Sequence, residues 1–147
     1  MKIRLLLALA GLAIGFAAPI LAQEENTVDP EVLQQIEAVY TKYDEAYNKN
    51  DAAAIAALFT QDALQVWQGA TEGGTASGQQ AIEKRYVVEF ASTPRNLVNK
   101  PVQVYAIGND ICAISEWSRG PYPKGRHAVR IYIREADDWK IRMEYVN

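Results

Sequence analysis

The chain has 147 residues, with 15 Lys and Arg against 18 Asp and Glu, a formal net charge of −3. That length suits one domain whose core needs no covalent staples, and the mildly acidic balance argues against a nucleic-acid partner. A single cysteine, Cys112, excludes an internal disulfide, and a single histidine, His127, beside one thiol makes no metal-ligand cluster.

At the N-terminus, Lys2 and Arg4 supply two positive charges, residues 5–18 carry none, and Pro19-Ile20-Leu21-Ala22 leads into Gln23-Glu24-Glu25. A charged start, an apolar run and a small residue before a polar stretch predict a signal peptide over 1–22. A periplasmic or secreted protein is therefore expected. The alternative is a permanent anchor, but the run is short of the ~20 residues of a membrane-spanning helix and no stop-transfer pattern follows. No cysteine follows the run to carry a lipid. Cleavage would remove two of the 15 basic residues, leaving 13 against 18 acidic, a net of −5. Residues 23–30 read as a flexible leader, and 31–147 as the folded domain.

Asp29-Pro30 is a helix start, since Asp caps and Pro suits the first helical position. Leu33, Ile36, Tyr40, Tyr43 and Tyr47 then recur at spacings of three and four, one stripe of a helix. Plain core packing is one reading of that stripe. Three tyrosine hydroxyls need partners or water, which favours a pocket-lining face. Asn48-Lys49-Asn50 breaks the pattern, and Asp51 caps a short second helix, 52–59. Asp62 opens a strand over 63–68, and Gly69, Gly73, Gly74 and Gly78 mark a loose loop or irregular hairpin. A third helix is expected over 79–90, with Ile82, Tyr86 and Phe90 on one face and Ser92-Thr93-Pro94 ending it.

The remainder predicts strands at 97–107, 111–118, 126–134 and 139–146. Pro101 suggests a bulge or edge, and Ala136 centres the last turn. Helices gathered on one face of a four-strand antiparallel meander make an α+β fold. Alternation in the last two strands places His127, Val129, Ile131, Ile133, Ile141, Met143 and Tyr145 toward the helices. Arg126, Arg130, Arg134, Lys140, Arg142 and Glu144 then form an outer surface. If the faces are inverted, Arg130 and Glu144 pair functionally.

The segments "YDEAYNKNDAAAIAALFTQDAL" (43–64), "SGQQAI" (77–82) and "DDWKI" (137–141), in this order and spacing, resemble the NTF2-like superfamily, and within it the SnoaL-like and DUF4440 group. The resemblance covers about residues 31–147. It implies a cone of three helices folded against a strongly curved, mostly antiparallel sheet, with a pocket between them and commonly a homodimer through the sheet. Relatives include ketosteroid isomerase, polyketide cyclases, dehydratases, epoxide hydrolases and non-catalytic binding modules, so fold does not fix function. Alignment with ketosteroid isomerase puts Tyr43 on the enolate-stabilising tyrosine. It puts Trp67 on the general-base aspartate and Val129 or Arg130 near the second oxyanion donor. The acid–base pairing of that isomerase is therefore absent, as are the paired histidines of the dehydratases.

His127 is the candidate catalytic residue, a general base near neutral pH; its plain reading is a rim histidine held by backbone or water. Asp62 reads as a cap or turn residue, and Glu116 as a weak pocket candidate of ambiguous strand parity. Cys112, in an apolar run, reads as a buried structural thiol. Tyr43, Tyr47, Trp67, Tyr86, Trp117 and Tyr145, with His127, are the expected ligand-binding set, suited to a flat or apolar molecule. Core packing is the alternative for each. The glycine-rich segment lacks the features of a phosphate loop. The leading expectation is an exported small-molecule-binding domain with no cofactor and no metal. The alternatives are a cofactor-independent acid–base enzyme of isomerase, dehydratase or cyclase type, and a purely structural dimer module.

Overall fold

The computed structural model describes residues 28–69, 73–92, 96–120 and 125–147. The expected signal peptide, the leader as far as residue 27, Thr93-Pro94 and the tip of the 120–125 loop lie outside these residues.

Three helices come first. α1 (Pro30–Asn48) starts where Asp29 Oδ1 accepts the Glu31 backbone N–H at 2.7 Å, with Pro30 in the first turn. Beyond its last residue, Asn48, the chain turns away at Asn50, whose φ of 57° is a left-handed conformation that asparagine tolerates. α2 (Ala52–Ala56) is capped by Asp51, whose Oδ1 accepts Ala54 N–H at 2.9 Å. It stops short of the expected residue 59, because the chain from Phe59 is already extended. α3 (Gln79–Phe90) follows the expected bounds.

Six strands form one sheet, one more than the five expected: β1 (Phe59–Gln68), β2 (Gly73–Ser77), β3 (Leu97–Ile107), β4 (Asp110–Arg119), β5 (Arg126–Glu135) and β6 (Asp138–Val146). Their order is β2-β1-β6-β5-β4-β3. All neighbours are antiparallel except β1 and β6, which run parallel. The long stretch from β2 through α3 to β5 separates the two strands and makes that parallel pairing possible, since parallel strands need a long crossover. β2 occupies the stretch expected as a loop or irregular hairpin. A Cβ built on Gly74 would lie 2.4 Å from the Trp67 ring, so only glycine lets β2 pair while the indole lies across it. The bulge expected near Pro101 is present, between Pro101 and Gln103. Ala136, at φ 53°, makes the β5–β6 turn.

The core lies between the helices and the inner sheet face, with Ile36, Ile55, Phe59, Ile82, Tyr132 and Ile141 fully buried. The expected face assignment is corrected here. On β5 the inward residues are Ala128, Arg130 and Tyr132, so His127, Val129, Ile131 and Ile133 point to the outer face. On β6 Ile141 is inward as expected. A bulge at Arg142 then shifts the parity, so Ile131 faces Met143 while Tyr132 faces Ile141. Glu144 thereby turns inward, and Met143 and Tyr145 outward. Apolar alternation misled because the outer face is itself apolar. One row runs in register from Tyr105 through Cys112, Ile131 and Met143 to Leu64. Cys112 is consequently half-buried on that face rather than in the core, and its desolvation raises the thiol pKa.

Candidate functional site

A cavity of about 790 Å³ opens at one end of the cone, between α1, α3 and the inner sheet face. α1 contributes Tyr43 and Tyr47, one turn apart, and α3 contributes Tyr86. β1 contributes Trp67 and β4 Trp117. These are five of the seven residues expected to bind a ligand. The other two, His127 and Tyr145, are not among its lining residues.

His127 sits on the outer face opposite Glu116, itself exposed. Its backbone N–H donates to Asn147 Oδ1 at 2.7 Å, and its carbonyl accepts from Trp117 Nε1 at 3.3 Å. Its side chain is thus on the wrong side of the strand for chemistry in the cavity, one consequence of the inverted parity. Tyr145 donates from its hydroxyl to Gln68 Oε1 at 3.0 Å on the outside. Asp62 is exposed, accepting from Thr60 Oγ1 at 3.0 Å and pairing with Arg142 at 3.1 Å. It lies within β1 rather than capping or tying the helix-to-strand turn as expected.

Beneath the aromatic lining lies a charged network. Arg130 and Glu144, 2 % and 0 % exposed, pair through Arg130 Nε and Glu144 Oε1 at 2.6 Å. Burial by itself would lower the Arg130 pKa, but the Glu144 carboxylate together with Tyr132, Tyr43 and Tyr40 outweighs it and holds the guanidinium charged. The Arg130 guanidinium also lies over the rings of Tyr43 (4.5 Å) and Tyr40 (4.9 Å). Glu144 Oε2 accepts from Gln65 Nε2 and from the Tyr43 hydroxyl. Gln65 Nε2 also donates to the Tyr86 hydroxyl at 2.8 Å, and the hydroxyls of Tyr43 and Tyr86 touch each other. Burial and the neighbouring Glu144 charge raise both phenols, Tyr86 to about 12 and Tyr43 well above its ordinary value. Both are therefore neutral hydrogen-bond donors at any physiological pH. Asp44 accepts twice from Asn99, through its backbone N–H at 2.9 Å and its side-chain amide, yet burial still raises its pKa.

A second charged group stands at the mouth. Arg85 Nη2 pairs with Glu89 at 2.8 Å, one turn along α3. Arg119 pairs with the same carboxylate from β4, and the Tyr47 hydroxyl donates to it at 2.7 Å. The Arg85 guanidinium lies over the rings of Trp67 (4.5 Å) and Tyr86 (4.7 Å), and its Nη1 donates to Gln65 Oε1 at 3.1 Å. Arg126 lies over Trp117 at 5.3 Å. Among the described lining residues, Lys84, Arg85, Arg119, Arg126 and Arg130 are basic and Glu89 alone is acidic. A chain of net negative charge thus carries a basic pocket.

Arg85, Arg119 and Glu89 were not singled out from the sequence, although a signal existed, whereas Arg130 with Glu144 was the pair expected if the faces were inverted. Arg85 and Glu89 fall at helical spacing from Ile82 beside Tyr86, so polar residues interrupt the buried stripe. Arg119 continues the Ser115–Trp117 alternation. Among the described residues no three His, Cys, Asp or Glu side chains gather as a metal site, and no helix is long and apolar enough to cross a membrane.

Helices packed on a curved, open, six-strand sheet with a cavity between them define an NTF2-like protein. Solved structures agree in fold. An NTF2-like protein of unknown function from Pseudomonas putida superposes with a TM-score of 0.68 at 16% identity, covering 82% of this chain and 89% of that one. A cystatin-like-fold domain from Nostoc punctiforme gives 0.68 at 14%, covering 82% and 78%. A DUF3225-family protein from Pectobacterium atrosepticum gives 0.64 at 21%, covering 81% and 91%. The AtzH-like family model matches residues 25–147, and the chain belongs to that family. No curated protein matches it.

Proposed function

We propose that the chain is an exported, small-molecule-binding NTF2-like protein whose cavity takes a small organic anion with a flat, apolar body. The observation that carries this reading is the lining, in which five basic side chains and one acidic one converge between Trp67 and Trp117. Arginine offers a planar fork to a carboxylate, and the indoles offer faces to an apolar ring. The N-terminal pattern supports export to the periplasm or beyond. The motifs at 43–64 and 77–82 support kinship with the SnoaL-like and DUF4440 members. The apolar outer row from Tyr105 to Leu64 supports a homodimer through the sheet.

Titration calorimetry with 2-naphthoate and its uncharged isostere 2-naphthamide tests the reading. The carboxylate should bind at least about tenfold tighter, and less so as salt rises. Equal binding of the two would sink it.

One feature favours acid–base catalysis as a second reading. Glu144, Tyr43 and Tyr86 form a continuous line from a buried carboxylate to the cavity wall. Two neutral phenols there can donate to an oxyanion, with Glu144 polarising them. Turnover that falls at least about a hundredfold in Tyr86→Phe, with ligand affinity retained, would establish it.

A further inference from the structure

The group at the cavity mouth is a complete carboxylate site with a carboxylate already in it. Three donors from three elements meet on Glu89: Arg85 of α3, Arg119 of β4 and the Tyr47 hydroxyl of α1. The two arginine side chains are 17% and 14% exposed, and Glu89 is 14% exposed, so all three reach the cavity while remaining shielded from bulk water. Arg85 lies over the rings of both Trp67 and Tyr86, and Arg119 over those of Tyr47 and Trp117 at 5.6 Å. Donors held in this way are preorganised for a planar anion, and they are flanked by the two indoles that would bear its apolar part.

We propose that Arg85, Arg119 and Tyr47 are the subsite for the ligand's carboxylate, and that Glu89 is an internal competitor for it. The ligand's carboxylate takes the same three donors, and Glu89, attached near the C-terminal end of α3, turns away toward solvent. Ring contacts keep the arginines in place during the exchange. The subsite therefore selects carboxylates that also bring apolar surface, because a bare small anion gains nothing over the resident Glu89. This inference rests on the reading of the cavity as an organic-anion site and adds to it where the charged end sits and what it must displace.

The alternative role for Glu89 is to position the two arginines for a ligand bound beside them. The two roles give opposite signs. If Glu89 competes, Glu89→Gln should bind 2-naphthoate at least about tenfold more tightly than the wild type, since a competitor that fills the site reduces apparent affinity by the fraction of open site. Binding of 2-naphthamide should not change. Glu83→Gln removes the same charge from the same helix outside the cavity, and should leave affinity within about twofold. The gain should vanish in Glu89→Gln/Arg119→Gln, because the cycle measures the shared donor. Glu89→Ala supplies an independent readout: acetate should raise its melting temperature and leave that of the wild type unmoved, because acetate then fills the emptied cradle. Weaker or unchanged 2-naphthoate binding in Glu89→Gln, where the wild type binds it, would overturn the competitor role and leave the anion pocket standing. Failure of every variant to bind 2-naphthoate would overturn both.

Discussion

Replacing Glu144 alone should be among the most damaging single changes in this chain, and replacing it together with Arg130 among the mildest for so buried a pair. Glu144→Leu leaves the Arg130 guanidinium without its 2.6 Å carboxylate partner, at a position where it is 2 % exposed. What remains to it is Asn99 Oδ1 and Ser115 Oγ, each at 3.4 Å, and the two tyrosine rings. Removing one partner of a buried pair typically costs about 3–5 kcal/mol. Gln65 Nε2 also loses one of its two acceptors, while the Tyr86 hydroxyl still serves it. For a domain of this size a loss of about 4 kcal/mol corresponds to roughly 12–20 °C in melting temperature. Arg130→Met/Glu144→Leu removes both charges and keeps similar volume, so its stability should lie within about 1 kcal/mol of the wild type. Urea unfolding followed by tryptophan fluorescence measures both variants, with the slope m checked for constancy. A single variant within about 1 kcal/mol of the wild type would refute the reasoning. So would a double variant as unstable as the single, because Gln65 and Tyr43 would then need the carboxylate more than Arg130 does.

Three further outcomes follow from the geometry. The raised phenol pKa values of Tyr43 and Tyr86 mean that the folded state holds protons the unfolded chain releases above about pH 10. Their contribution to stability should be complete below that pH and should be lost as pH rises toward about 12 and beyond, as followed by the pH dependence of the urea midpoint. Gly74→Val should push the Trp67 indole off β2 and weaken 2-naphthoate binding about tenfold or more, read by calorimetry, while His127→Ala on the outer face should leave it within about twofold. Met143→Glu places a charge in the middle of the apolar outer row; if the proposed dimer forms through that face, analytical ultracentrifugation should find the wild type dimeric and this variant monomeric.

The helices and most strand bounds were legible because their signals are local. Asp29-Pro30 and Asp51 start helices through their own side chains, and the spacing of Ile36, Tyr40, Tyr43 and Tyr47 carries the buried face of α1. The tyrosine stripe and two tryptophans likewise foretold the aromatic half of the cavity. Inward and outward faces of β5 and β6 were not legible, because both faces of the sheet are apolar and two features of cross-strand pairing decide them: a two-residue turn at Ala136-Asp137, which sets Tyr132 rather than Ile133 opposite Ile141, and one extra residue at Arg142. That bulge depends on pairing across strands, which no alternation within one strand reveals. The charged half of the cavity was hidden for the same reason. Arg130 and Glu144 read as surface charge unless the faces were inverted, as they are, and nothing in the helix marked Glu89 as the partner of Arg119 on a strand 30 positions away.

The most direct test of an anion-binding cavity is a crystal structure of the chain with 2-naphthoate. The carboxylate should lie within hydrogen-bond distance of Arg85 and Arg119, with the rings against Trp67 or Trp117 and Glu89 displaced from both arginines. A naphthoate whose carboxylate faces solvent, or one bound anywhere other than this cavity, would contradict the account.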